Sequence, residues 1–154
     1  MSQVGQVAPS FKLPASNGET IDLAEVVAKK PVVLYFYPKA DTSGCTVEAC
    51  GFRDAAPDYK KAGVTVLGIS PDPIEKVTKF AEKYKLNFPL LADADHVVCE
   101  KYGVWKEKSM YGRKYWGAMR VTFVIAEGGK IEQVFEKVKP AGHEKQVLEW
   151  IKEK

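Results

Sequence analysis

Two cysteines five residues apart, Cys45 and Cys50, follow a turn-forming stretch that runs from Pro38 to Gly44. In sulfur chemistry the thiolate is the nucleophile, and free N–H groups together with the dipole of a helix start stabilise a negative sulfur. Asp41, Thr42 and Ser43 carry short polar side chains able to accept hydrogen bonds from such N–H groups, and residues that suit a helix follow, so Cys45 is expected in or near a first helical turn. Cys50 then lies about 140° round the axis, with its Cα roughly 8 to 9 Å from that of Cys45. A disulfide needs less than about 7 Å. The two sulfurs can therefore join only if the turns between them unwind. Gly51, a weak helix former, would ease that release. Pro57 lacks an N–H and would clash with the carbonyl of Arg53, so the helix is expected to kink or restart there. The bland alternative is a pair of buried cysteines acting as small hydrophobes.

The elements that must position this pair are legible on either side. Val32 to Tyr37 is uncharged and rich in β-branched and aromatic residues, as in a strand buried on both faces, and Pro38 ends its pairing. Ahead of it, Phe11–Pro14 and Thr20–Asp22 flank Asn17-Gly18 as a hairpin flap, and Leu23–Ala28 forms a short helix. After the cysteine helix, Gly63 is a stop, Val64–Ser70 a second buried strand, and Asp72-Pro73-Ile74-Glu75 a capped helix start. Ile74, Val77, Phe80, Ala81 and Tyr84 continue with helical spacing. Phe88–Asp93 reads as a short strand and His96–Tyr102 as a brief helix. Val104–Met119 reads as a long aromatic connection, either flanking a pocket or covering the sheet edge. Val121–Ala126 and Lys130–Phe135 form a hairpin across Glu127-Gly128-Gly129, and a last helix carries Val147, Leu148 and Ile151. The layout is α/β, a mixed central sheet with helices on both faces.

At 154 residues the chain suits one domain, residues 1–154, with a core that needs no staples. The net charge of +3 comes from interspersed lysines and carboxylates, which gives no reason to expect nucleic acid. Three cysteines are too few for a secreted disulfide framework, and neither a signal sequence nor an apolar run of membrane-spanning length is present. A cytoplasmic protein with no membrane partner is expected.

Pro38-x-x-x-Thr42-x-x-Cys45 resembles the active-site motif of the peroxiredoxins, and the Cys-x-x-x-x-Cys spacing is similar to the bacterioferritin comigratory protein, or PrxQ, branch. Phe36–Ala40, Leu67–Ser70, Cys99–Trp105 and the strand at Arg120 match that branch in order, so the resemblance covers nearly the whole chain. Ser43 departs from it, standing where the family usually carries proline. The resemblance implies a thioredoxin-like fold and a thiol peroxidase acting on hydrogen peroxide and organic hydroperoxides, without a bound cofactor or metal. It also implies a monomer recycled by thioredoxin or glutaredoxin.

On that footing Cys45 is the peroxidatic cysteine, oxidised to a sulfenic acid, and Cys50 the resolving thiol. The Cys45 N–H and the Thr42 hydroxyl are the expected donors to the peroxide, and Pro38 shields the site. Arg120, by position alone a strand-end surface charge, matches the family arginine that stabilises thiolate and transition state. Glu48 is expected to contact Arg53 or to be solvated, outside the catalytic set. Cys99 is expected to fill the core, and His96 and His143 to cap helices or lie on the surface. Three rivals remain. Cys45, Cys50, His96 and Cys99 formally make a zinc set, a protein-disulfide oxidoreductase would want the absent Cys-x-x-Cys, and a binding module would need no turnover.

Overall fold

The computed structural model describes residues 1–154. An N-terminal hairpin pairs β1 (Lys12–Pro14) with β2 (Thr20–Asp22), and Gly18, at φ +84°, takes the left-handed position that its turn requires. The Asp22 carboxylate accepts the Ala24 N–H at 3.0 Å and so starts α1 (Leu23–Val27). β3 (Val32–Phe36) is buried along its whole length, as its uncharged β-branched and aromatic run predicts.

The sheet that β3 centres has the order β5-β4-β3-β8-β9. β4 (Thr65–Ser70) and β5 (Leu90–Ala92) extend it in parallel on one side. β8 (Val121–Ile125) and β9 (Ile131–Phe135) extend it antiparallel on the other. Alternation along β3 sends Val32, Leu34 and Phe36 to one face and Val33, Tyr35 and Tyr37 to the other. Under the first face lie the hairpin, α1 and α5 (Val97–Lys101). Against the second pack α2 (Ser43–Asp54), α3 (Ala56–Lys61), α4 (Ile74–Lys83) and α6 (His143–Glu153). The expected mixed sheet with helices on both faces is observed. No helix is long and apolar enough to cross a membrane.

α2 and α3 meet where Pro57 forces a restart. The Arg53 carbonyl, which proline cannot serve, accepts instead from Asn87 Nδ2 at 3.2 Å. Two expectations need correction. The segment Val104–Met119 is a β-ribbon rather than a loop: β6 (Trp105–Met110) pairs antiparallel with β7 (Arg113–Ala118) through a turn at Tyr111 and Gly112, both at positive φ. Its side chains are too exposed to leave a hydrophobic pattern, and its turn carries tyrosine where asparagine or aspartate would signal a hairpin. Asp72 does not cap α4, whose flanking residue is Pro73 and which has no side-chain cap. The Asp72 carboxylate turns back to the segment that precedes Cys45.

Candidate active site

The chain leaves β3 at the C-terminal edge of the parallel strands and makes a bend through Pro38, half-buried, before α2 begins. Three side chains hold this bend. Asp72 Oδ2 accepts the Ala40 N–H at 2.7 Å and the Ser70 hydroxyl at 2.8 Å. Asp41 sits at φ +61°, a conformation aspartate tolerates better than most residues, and its carboxylate accepts from Lys83 Nζ at 2.9 Å and from the Tyr84 hydroxyl at 3.1 Å. That lysine holds the Asp41 carboxyl below its ordinary range. Thr42 Oγ1 donates to the Lys39 carbonyl at 3.0 Å.

None of Asp41, Thr42 or Ser43 caps α2 through its side chain, contrary to the sequence expectation, because Asp41 and Thr42 are spent on the bend itself. The first helical hydrogen bond runs from the Thr46 N–H to the Thr42 carbonyl at 2.9 Å. It leaves the N–H groups of Ser43, Gly44 and Cys45 without a helical partner. Thr42 also differs from expectation: its proton is committed to Lys39, so its hydroxyl offers lone pairs rather than a free donor.

Cys45 is buried, 1% exposed, one turn into α2. Arg120, in the two-residue link between β7 and β8, reaches across with Nη2 at 3.3 Å from the sulfur and Nη1 at 2.7 Å from Glu48 Oε1. A Cβ on Gly44 would come within 3.2 Å of Nη2, so glycine there lets the guanidinium lie against the helix start. Arg120 is thus a half-buried bridge between a sulfur and a carboxylate and not a free surface charge.

Glu48 also departs from expectation. It is neither solvated nor bonded to Arg53, which donates to the Tyr84 carbonyl at 2.7 Å and to Asp54 at 3.0 Å. One turn on from Cys45, Glu48 is fully buried, with Oε1 on Arg120 and Oε2 without a partner. Burial pushes its pKa up and Arg120 pulls it part of the way back, to about 7. Lys108 of the ribbon lies near the same charges. Its ammonium donates to the Ala118 carbonyl, and burial, then Arg120, pull its pKa down against the pull of Cys45. The ribbon therefore does flank the site, through Lys108. Tyr111 and Trp116 point to solvent, while Trp105 stacks on His96 at 4.1 Å.

Cys50 lies on the same unbroken helix, half-buried, and is a free thiol like Cys45 and Cys99. A Cβ on Gly51 would meet the Glu144 carboxylate of α6 at 2.6 Å, the movable end of a long side chain. Phe52 anchors the far end of α2, stacked on Tyr35 at 4.7 Å. Cys99 belongs to the core on the opposite face of the sheet, with burial raising its pKa. The formal zinc set is thereby divided across the sheet, and no cluster of metal-ligating side chains forms. His143 is neither cap nor surface. It is buried, its Nε2 2.7 Å from Thr122 Oγ1 and its Nδ1 3.0 Å from Gln146 Oε1, with burial lowering its pKa. His96 flanks α5 at φ +52° with no side-chain cap, 3.2 Å from Glu100.

Sequence reasoning thus missed Glu48, Asp72 and Lys108. Only Glu48 carried a local signal, since it follows Cys45 by three positions and so shares its helix face.

Residues 4–134 match the AhpC/TSA family. Over 151 residues the chain is 52% identical to the peroxiredoxin Bcp of Escherichia coli, covering 98% of this chain and 96% of that protein. It is 41% identical over 151 residues to the peroxiredoxin Bcp of Bacillus subtilis, with the same coverage. Among solved structures, the bacterioferritin comigratory protein of Xanthomonas campestris, described for its alkyl peroxide reduction activity, superposes with a TM-score of 0.86. It is 38% identical and covers 93% of this chain and 90% of its own. Peroxidoxin BcpB of Mycobacterium tuberculosis gives a TM-score of 0.88 at 34% identity, over 99% and 98%. The mixed sheet and its two helical layers are the thioredoxin-like arrangement of these proteins. The chain belongs to the AhpC/TSA family, as a thiol peroxidase of the Bcp branch of the peroxiredoxins.

Proposed function

We propose that Cys45 is the residue of this peroxidase that attacks the peroxide and that Cys50 resolves the product. The Cys45 thiolate displaces the O–O bond of hydrogen peroxide or an organic hydroperoxide: an S–O bond forms, sulfur loses two electrons, and the far oxygen leaves as hydroxide or alkoxide and takes up a proton. The Arg120 guanidinium and the unpartnered Cys45 N–H are donors where that charge develops. Glu48 holds Arg120 in line, Thr42 receives the peroxide O–H, and Pro38 shields the sulfur.

The Cys45 sulfenic acid then loses its hydroxyl as water when the Cys50 sulfur attacks it, which closes a disulfide. Because both residues sit on α2, this step requires the turns between them to melt while Phe52 keeps the end of the helix docked. A dithiol protein, thioredoxin or glutaredoxin, returns the pair to thiols by exchange. Residues 1–154 act as one domain, as a monomer in a reducing cytoplasm, a setting that suits three free thiols.

The observation that carries this reading is the 3.3 Å approach of Arg120 to the buried Cys45 sulfur in the first turn of α2. The test is turnover in two variants. Cys45→Ser should consume no peroxide, whereas Cys50→Ser should consume one equivalent and stop, with dimedone labelling Cys45. Sustained peroxide consumption by Cys45→Ser would remove the assignment.

A further inference from the structure

Lys76, Lys79 and Lys83 follow one another at helical spacing along the exposed side of α4, opposite the buried Val77, Phe80 and Ala81. With Lys39, Ala40, Asp41 and Phe80 these lysines line a cavity of about 450 Å³ against the bend that leads to Cys45. The face continues past the end of α4: Arg53 donates to the Tyr84 carbonyl, and it lies one turn on from Cys50. Two carboxylates sit among these five cations, Asp41 on Lys83 and Asp54 on Arg53. Lys39, Lys76 and Lys79 make no ion pair. Glu82, also on α4, lines a different cavity beside Ser16 and Asn17, while Glu75, one turn before Lys79, borders the lysine face. Five cations, three of them without an ion pair, therefore border the segment that carries both active-site cysteines.

We propose that this lysine face of α4, extended by Arg53, is the docking surface for the dithiol protein that reduces the oxidised enzyme, and that it receives an acidic surface on that partner. The inference rests on the Cys45–Cys50 disulfide proposed above. A protein reductant must bring its own thiolate to that disulfide as α2 opens, and a cationic border next to the opening attracts and orients an anionic partner. Hydrogen peroxide and small neutral hydroperoxides gain nothing from such a surface, so the face distinguishes the reductive half of the cycle from the oxidative half.

The experiment compares the native chain with Lys76→Glu/Lys79→Glu, which leaves the bend and its contacts in place. Protein oxidised with one equivalent of hydrogen peroxide is reduced either by a thioredoxin of net negative charge or by dithiothreitol, at low and high salt. The double variant should lose about tenfold or more in its rate constant with thioredoxin, and the native rate should fall by a similar factor as salt is raised. Rates of oxidation by peroxide and of reduction by dithiothreitol should stay within about twofold of native. Equal rates with thioredoxin for both proteins, or an equal loss with dithiothreitol, would overturn the proposal. If peptide mapping finds no Cys45–Cys50 bond in the oxidised protein, the disulfide reading itself fails and the docking surface falls with it.

Discussion

Arg120 serves two partners at once, and the planar fork of its guanidinium makes this possible: Nη2 addresses the Cys45 sulfur while Nη1 is fixed on Glu48. Replacing it by methionine removes both the charge and the fork. Arg120→Met should slow the oxidation of Cys45 by about 10²- to 10³-fold in stopped-flow measurements. Arg120→Lys should restore only part of that, since an ammonium lacks the fork that spans both partners. Glu48 gives a pH signature. Its folded pKa of about 7 lies above the ordinary 4.5, so the folded state holds that proton more tightly than the unfolded chain. Stability from this group is full below about 4.5, declines as pH rises toward about 7, and is level above, a loss on the order of 3 kcal/mol. Urea midpoints at pH 5 and pH 8 should therefore differ less for Glu48→Gln than for the native chain. An unchanged difference would show that Glu48 does not titrate in that window. At this scale the sequence offered Cys45, Cys50 and, through the family motif, Arg120 as candidates, and the structure brings Cys45 and Arg120 together. The sequence hid the Arg120–Glu48 contact and the grip of Asp72 on Ala40, because the partners lie 72 and 32 residues apart and no local spacing announces them.

On the proposed cycle the decisive element is α2, which must be stable enough to bury Cys45 yet weak enough to open. Its start has no side-chain cap, and its first residue, Ser43, is exposed and makes no backbone N–H bond. Its other end is fixed by Phe52 in a ring cluster with Tyr35, Tyr59 and Phe88, where burial of one phenyl group contributes about 1.5–3 kcal/mol. Melting is thus directed toward the Cys45 end. Proline suits a first helical position, and Ser43→Pro should stabilise the fold by about 0.4–1 kcal/mol. It should also slow disulfide closure after oxidation while leaving the oxidation of Cys45 unchanged, read as two separate fluorescence phases; equal closure rates would show that the helix start does not open. The strands and helices of the central layers were legible because they alternate or run apolar at their own periods. The β6–β7 ribbon was not, since it is solvent-exposed and pairs only with itself. The shallow reading of Asp72 as a cap failed for a related reason: proline at the next position fits a helix start, but the bend of a distant segment offered that carboxylate a donor at 2.7 Å.

Across the whole molecule the sheet separates two bodies of side chains, and this separation sets Cys99 apart from Cys45. Cys45 packs among Val33, Tyr35 and Phe52 on the face that carries α2, while Cys99 packs among Val32, Leu34 and Phe36 on the other. No unwinding of α2 brings Cys99 through the sheet, which is why the resolving role is proposed for Cys50. On the proposed cycle, oxidation at the buried sulfur is followed by melting of the turns that separate it from Cys50. The direct test treats reduced protein with one equivalent of hydrogen peroxide, maps its disulfides by peptide mass and follows amide hydrogen exchange in the same sample. A Cys45–Cys50 link, a free Cys99 and loss of protection from Thr46 to Gly51, with β3 unchanged, are the results predicted. A link that includes Cys99, or a helix that stays protected with both sulfurs unjoined, would contradict the account.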